Sequence, residues 1–255
     1  MYYVNPEKVV MNHVKENEIP QWDIAIMCFH SVEKTFKIVN YLGGRKIGYR
    51  LFSKCDSNMV FETEINHCKI GILGWCTGGG PLVASLIEEV KITGIKWLIG
   101  IGAAASIVDY IGRNEIILPT EIICNDGVSK YYCNENEIRI DKKIYTLVKQ
   151  VLYEENWKYY EVKGATVEAL YRQSEKMLQP WRNQNVQVVN WELGPFYSVS
   201  KEYNIKCAWL GHVSDIEYEG KWLDWYSNRE QITEKVMKIC KTVIVAITEV
   251  TADEN

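Results

Sequence analysis

Four stretches of the chain place chemically useful residues at the ends of apolar runs. The first is Gly-Trp-Cys-Thr-Gly-Gly-Gly-Pro at residues 74–81. Four glycines in one turn let a backbone approach a ligand closely. No Lys-Ser/Thr follows them, so the turn is not a Walker loop. A flexible strand–helix turn explains it equally well. The second is Gly-Ile-Gly-Ala-Ala-Ala-Ser at residues 100–106, whose small side chains suit close packing or a pocket. The third is Val-Asn-Trp-Glu at residues 189–192. Glu192 at a helix start either complements the helix dipole or accepts hydrogen bonds from two sugar hydroxyls. The fourth is Val-Ser-Asp at residues 213–215. Asp215 there is either a functional acid or the cap of a turn.

The elements that must position these residues follow from periodicity. Apolar runs predict strands at residues 23–29, 49–53, 59–65, 68–75, 96–102, 115–124, 159–167, 186–189 and 207–213. Pro119 predicts a bend or an edge in the strand that holds it. Helices are expected at residues 31–41, from the glycine turn to 93, and at 141–153, 173–182, 191–203 and 228–250. Ser31 is a candidate cap, and Gly43-Gly44 ends the helix that it starts. In the last helix Ile232, Val236, Ile239, Val243 and Ile247 recur at helical spacing. Strands alternate with helices, which predicts an α/β fold: a single three-layer domain with a central mixed β-sheet flanked by helices. It would span residues 23–255, after an N-terminal lead-in over residues 1–22.

Composition limits the partners. Of 255 residues, 47% are hydrophobic and 24% charged, which is ordinary for a globular chain. The net charge of −4 leaves no basic footprint for nucleic acid, yet permits a small anionic substrate. No apolar run is long enough to span a bilayer, and residues 1–16 lack the apolar stretch of a signal peptide. A cytoplasmic protein with no membrane partner is expected. The eight cysteines are scattered without a Cys-x-x-Cys pair, and the four histidines do not cluster. Reduced thiols, no metal site and no cofactor are the expectation.

Taken in order, the motifs form a stronger pattern than any one of them. Residues 78–81, 101–104 (Ile-Gly-Ala-Ala), 127–132 (Gly-Val-Ser-Lys-Tyr-Tyr), 166–171 (Thr-Val-Glu-Ala-Leu-Tyr), Trp191-Glu192 and Ser214-Asp215 follow one another. Over residues 23–250 the chain resembles the nucleoside phosphorylase superfamily, which holds purine nucleoside phosphorylases, uridine phosphorylases and methylthioadenosine nucleosidases. The resemblance implies cleavage of an N-glycosidic bond. It implies that Glu192 grips the ribose hydroxyls, with Trp191 in place of the family's Met reshaping the sugar pocket. It implies that Ser214 and Asp215 are the pair of the purine enzymes, with Asp215 the acid that protonates N7 of the departing base. An aspartic acid, with a reference pKa of roughly 3.9, must be held protonated by burial or by substrate. Leu170 and Tyr171 fall where the family stacks the base, Leu170 replacing Phe. Gly102 and Ala103 border the substrate, Ala103 replacing a hydroxyl residue.

Departures concern the nucleophile. Gly100 stands where phosphorolytic members carry an arginine, and Cys28-Phe29-His30-Ser31 replaces their Gly-Asp-Pro-x-x-Arg turn. Gly78, Gly79 and Gly80 with Arg50 are the candidates for an anion or water site. Nucleosidases of the family activate water with a Glu after the first strand, and a gapless count from Ile24 puts Glu33 there. His30 is the alternative base. The expected reaction is hydrolysis of a purine-type nucleoside, with phosphorolysis as the alternative and a non-catalytic binding relative as the third. The small-molecule partner is thus a nucleoside, joined by phosphate in the second case. Family members are oligomers, so a homo-oligomer is expected. Residues 216–228, with Trp222, Trp225 and Tyr226, are predicted to form a lid or a subunit contact.

Overall fold

Strand β1 (Ile24–Cys28) is apolar and buried at every position. Only a strand with neighbours on both sides and cover on both faces can be so. In the computed structural model, which describes residues 3–51, 53, 59–224 and 229–253, β1 runs parallel between β4 (Cys68–Leu73) and β5 (Trp97–Ser106). Its side chains alternate with the pleat. Ala25 and Met27 join one core, while Ile24, Ile26 and Cys28 join the other. The first core is covered by α1 (Pro6–Met11), α3 (Gly79–Lys91) and α6 (Leu193–Glu202). The second is covered by α2 (Val32–Tyr41), α4 (Lys142–Glu154) and α7 (Arg229–Asp253). This is the three-layer α/β arrangement with a mixed sheet. Val10 and Trp22 of the lead-in are themselves buried in the first core.

Beyond β4 the sheet ends in β3 (Val60–Ile65) and the short β2 (Arg45–Lys46). On the other side it closes on itself. β5 pairs with β10 (Lys206–Tyr218), β10 with β6 (Ile116–Ile123), and β6 with β8 (Tyr159–Thr166). β8 then pairs with β9 (Val188–Asn190), and β9 returns to the far end of β5. β5 and β10 serve both parts. Their first halves extend the open sheet, and their second halves enter the five-stranded ring. Both strands outrun the lengths read from sequence, because their carboxyl-terminal halves continue past the apolar runs. β7 (Glu137–Arg139) pairs with β6, and β11 (Lys221–Leu223) with β10. A third core lies between the ring and α5 (Glu175–Arg182), around Ile107, Val167 and Leu178.

Helix starts follow local chemistry. Ser31 accepts a hydrogen bond from Lys34 N, and Asp141 accepts from Lys143 N and Ile144 N, as side-chain caps do. The five periodic apolar residues of α7 are all buried. Each contributes about 1.5–3 kcal/mol relative to exposure.

One expectation needs correction, and two gain detail. Residues 49–53 form no strand among the described residues. Tyr49 and Leu51 are buried in the first core, so the alternating pattern reports packing without a neighbour to pair with. Of the bend or edge expected at Pro119, the bend holds, since β6 pairs with both β10 and β8. The register shifts between Pro119 and Glu121, which accommodates the missing N–H, and Tyr197 OH donates to Pro119 O at 2.8 Å. Residues 216–223, expected to be a lid or a subunit contact, form the end of β10, a turn and β11. Trp225 and Tyr226 lie outside the described residues.

Among the described residues, seven cysteines are free thiols, six of them buried; Cys55 lies outside that set. No group of three potential metal ligands occurs among them, and no described helix is long and apolar enough to cross a membrane.

Candidate active site

β10 carries the acid, and a break in its register aims it. Val213 sits opposite Ala104 and Asp215 opposite Ala105, so Ser214 is the extra residue of a bulge. A bulge re-aims side chains that strict alternation would send to opposite faces. Ser214 and Asp215 accordingly both face one cavity of about 490 Å³. Asp215 is 4% exposed. Its Oδ1 accepts from Ser214 Oγ, which also lies 3.3 Å from Ala104 O. Its Oδ2 accepts from Trp222 Nε1 at 2.9 Å.

Trp222 reaches Asp215 through turn geometry. Glu219 and Gly220 both have positive φ, 49° and 70°. Two such residues make a tight hairpin whose twist suits the flanking strands. The turn sets Trp222 opposite Glu217, on the strand that holds the acid.

Glu192 enters from the opposite wall. β9 ends at Asn190, whose Oδ1 accepts from Glu192 N at 2.9 Å and Leu193 N at 2.8 Å. Thr166 Oγ1 accepts from Gly194 N at 2.7 Å, and Pro195 has no N–H. The first donors of α6 are therefore satisfied by Asn190 and Thr166. The Glu192 side chain is left to face the cavity, and the dipole-complement reading is not needed. Burial pushes its carboxyl up to about 8, opposed by N–H groups of Gly79, Trp191 and Gly78.

That last contact reassigns the glycine turn. Gly79 has φ +73°, a conformation that favours glycine, and its N–H faces the protein's own carboxylate. Gly78 and Gly79 hold Glu192, Gly80 packs α3 against α6, and none of the three lines the cavity. A Cβ on Gly80 would meet Pro195 Cγ at 2.8 Å.

Several residues singled out by sequence do meet at the cavity. Trp191, Leu170, Tyr171, Ala103 and Ser214 line it together with Asp215 and Glu192. Gly102 does not. A Cβ there would lie 2.2 Å from Trp209 Cζ2, so its small size serves packing against that indole. Glu33 faces solvent on α2, paired with Lys37 at 3.2 Å. The gapless count overshot, because the turn after β1 brings His30 and Ser31 to the cavity and sends Glu33 outward. Arg50 is exposed and off the cavity wall.

Sequence reasoning missed other walls. His212, one strand away from His30, is buried with it. Their rings stack with centroids 6.0 Å apart and planes 25° apart. Lys34 adds a cation in the first turn of α2. Asn190 Nδ2 and Gln173 Oε1 are buried cavity-wall groups without a hydrogen-bond partner. Glu217 lines the cavity two residues beyond Asp215, its carboxyl pushed up to about 7 by burial and then by Asp215. The spacing of Glu217 from Asp215 was the one available signal, since residues i and i+2 share a strand face.

Residues 68–247 match the family model of the phosphorylase superfamily, and the chain belongs to that superfamily. Its enzymes break N-glycosidic bonds. In sequence the chain is similar to uncharacterized protein R802 of Acanthamoeba polyphaga mimivirus. The two are 24% identical over 216 residues, covering 84% of this chain and 82% of that one. In fold it is similar to a solved futalosine hydrolase mutant of Helicobacter pylori strain 26695. That likeness has a TM-score of 0.68 at 13% identity and covers 88% of this chain and 98% of that one.

Proposed function

We propose that the protein hydrolyses the N-glycosidic bond of a purine-type nucleoside. The observation that carries this reading is that Asp215, within β10, and Glu192, just after β9, face one cavity. Bond cleavage leaves negative charge on the base and positive charge on the sugar. Asp215 donates a proton to the base nitrogen and makes it a better leaving group. Glu192 accepts from the ribose hydroxyls and stabilises the oxocarbenium character of the sugar. Those hydroxyls, as donors to its charged form, favour ionisation of a carboxyl that burial otherwise keeps protonated. Leu170, Tyr171 and Trp191 give the base and sugar apolar contact.

Water is the favoured nucleophile because no arginine lines the cavity among the described residues. A phosphate dianion is best held by such planar, multidentate donors. His30, with His212 stacked on it, is the cavity group placed to take the proton of attacking water. Phosphorolysis is the second reading, and the observation that favours it is Lys34 beside His30 at the start of α2. A homo-oligomer is the expected assembly, tested by mass measurement at micromolar concentration.

A panel of nucleosides assayed for free base, with and without phosphate, decides between them. Free base and free sugar formed without phosphate are expected. A rate proportional to phosphate, and zero in its absence, overturns hydrolysis.

A further inference from the structure

A second pocket of about 320 Å³ adjoins the first. The two share Leu170, Tyr171, Gln173 and Glu217 as walls, so they meet at those residues. The second pocket is otherwise lined by Leu178, Ser174, Tyr218 and Trp222 among others. The recess is mixed: aliphatic and aromatic at Leu178, Tyr218 and Trp222, charged at Glu175 and Lys221, and polar where it meets the first pocket. Gln173 Oε1 at that junction is buried and has no hydrogen-bond partner. Glu217 there is a second acceptor.

The position relative to Asp215 gives the recess a chemical meaning. Glu217 follows Asp215 on the same strand face, about 6–7 Å further along. On a purine, the group next to N7 along the same edge is the substituent on C6. If Asp215 meets N7, a C6 substituent points along β10 toward Glu217 and Gln173, and anything attached to it enters the second pocket. We propose that this pocket binds an apolar or aromatic group carried on the exocyclic C6 nitrogen, so that the substrate class is N6-substituted purine nucleosides. This rests on the assignment of Asp215 as the acid at the base. The N–H of the substituted amine donates to Gln173 Oε1 or to Glu217. The attached group packs on Leu178 and on the rings of Tyr171 and Trp222, contacts that aromatic walls supply.

The test compares adenosine with N6-benzyladenosine. At least tenfold higher kcat/KM for the benzyl compound is expected. Ser174→Trp, which fills the recess from its rim, is expected to lower kcat/KM for the benzyl compound at least tenfold more than for adenosine. A benzyl compound cleaved tenfold less well than adenosine, or a variant that affects both alike, overturns the proposal. If neither nucleoside loses its base, the glycosidase reading fails, and calorimetric titration with free bases still decides the pocket. Tighter binding of N6-benzyladenine than of adenine supports it, and equal or weaker binding overturns it.

Discussion

The indole Nε1 of Trp222 donates a 2.9 Å hydrogen bond to Oδ2 of Asp215. With Ser214 on Oδ1, the acid is gripped from both sides. Trp222→Phe keeps the ring and removes the donor. Hydrogen bonds to charged groups contribute about 1.5–3 kcal/mol. Loss of this one lets the carboxyl rotate away from the base, so kcat is expected to fall roughly tenfold with a smaller change in KM. Steady-state kinetics on a cleaved nucleoside check it. An unchanged kcat would show the contact to be idle in catalysis.

Asp215→Asn conserves size and removes the acidic proton. Positioned acids contribute typically 10²–10⁴-fold. Single-turnover release of the base is expected to slow by about that range, while nucleoside binding by calorimetry changes by less than about tenfold.

Glu192 gives a pH dependence with a definite sign. Its carboxyl titrates at about 8 in the folded protein, against an ordinary value of 4.5. Between those values the folded state binds the extra proton. The contribution to stability is therefore full below 4.5 and is lost as pH rises through about 8. Melting temperature measured from acid to alkaline pH should decline more steeply in the wild type than in Glu192→Gln. Parallel curves would sink the argument. Ribose binding near neutral pH should also release a proton, seen as a buffer-dependent heat.

Gly102→Ala tests the reassignment of that residue from ligand contact to packing. The added methyl meets the Trp209 ring at 2.2 Å. Overpacking costs about 1–3 kcal/mol. For a chain of this size that is a fall in melting temperature of roughly 2–12 °C. Calorimetry on the variant checks it. A loss of nucleoside affinity with no change in melting temperature would restore the ligand-contact role.

How much of this was legible in the sequence differs by residue. Ser31, Asp141 and the α7 stripe are local signals, and each stands where its chemistry predicts. Glu192 and Asp215 were singled out by motif order and the resemblance it carries, and both line the cavity. Glu33 was misplaced because a count along the chain cannot see which side a turn exposes. The glycine turn was read as an anion or water site, and its N–H groups meet the carboxyl of Glu192 instead. Only tertiary contact reveals that. Trp222 was assigned to a lid or a subunit contact. Its bond to Asp215 depends on a hairpin whose turn residues, Glu219 and Gly220, carry a weak sequence signal. His212 was invisible for a simpler reason: a lone histidine in an apolar strand has no local pattern to set it apart.

The five strands that return on themselves hold Asp215, Asn190 and the alanines at residues 103–105 in one hoop. No member can slide without dragging its neighbours around the circumference. Asp215 and the corner after β9 that carries Glu192 are therefore tied to one another through the hoop. Residues 170–173 and the hairpin at 218–221 stand outside that constraint. On the proposed reading, single replacements there would alter substrate preference and leave the spacing of Asp215 and Glu192 unchanged.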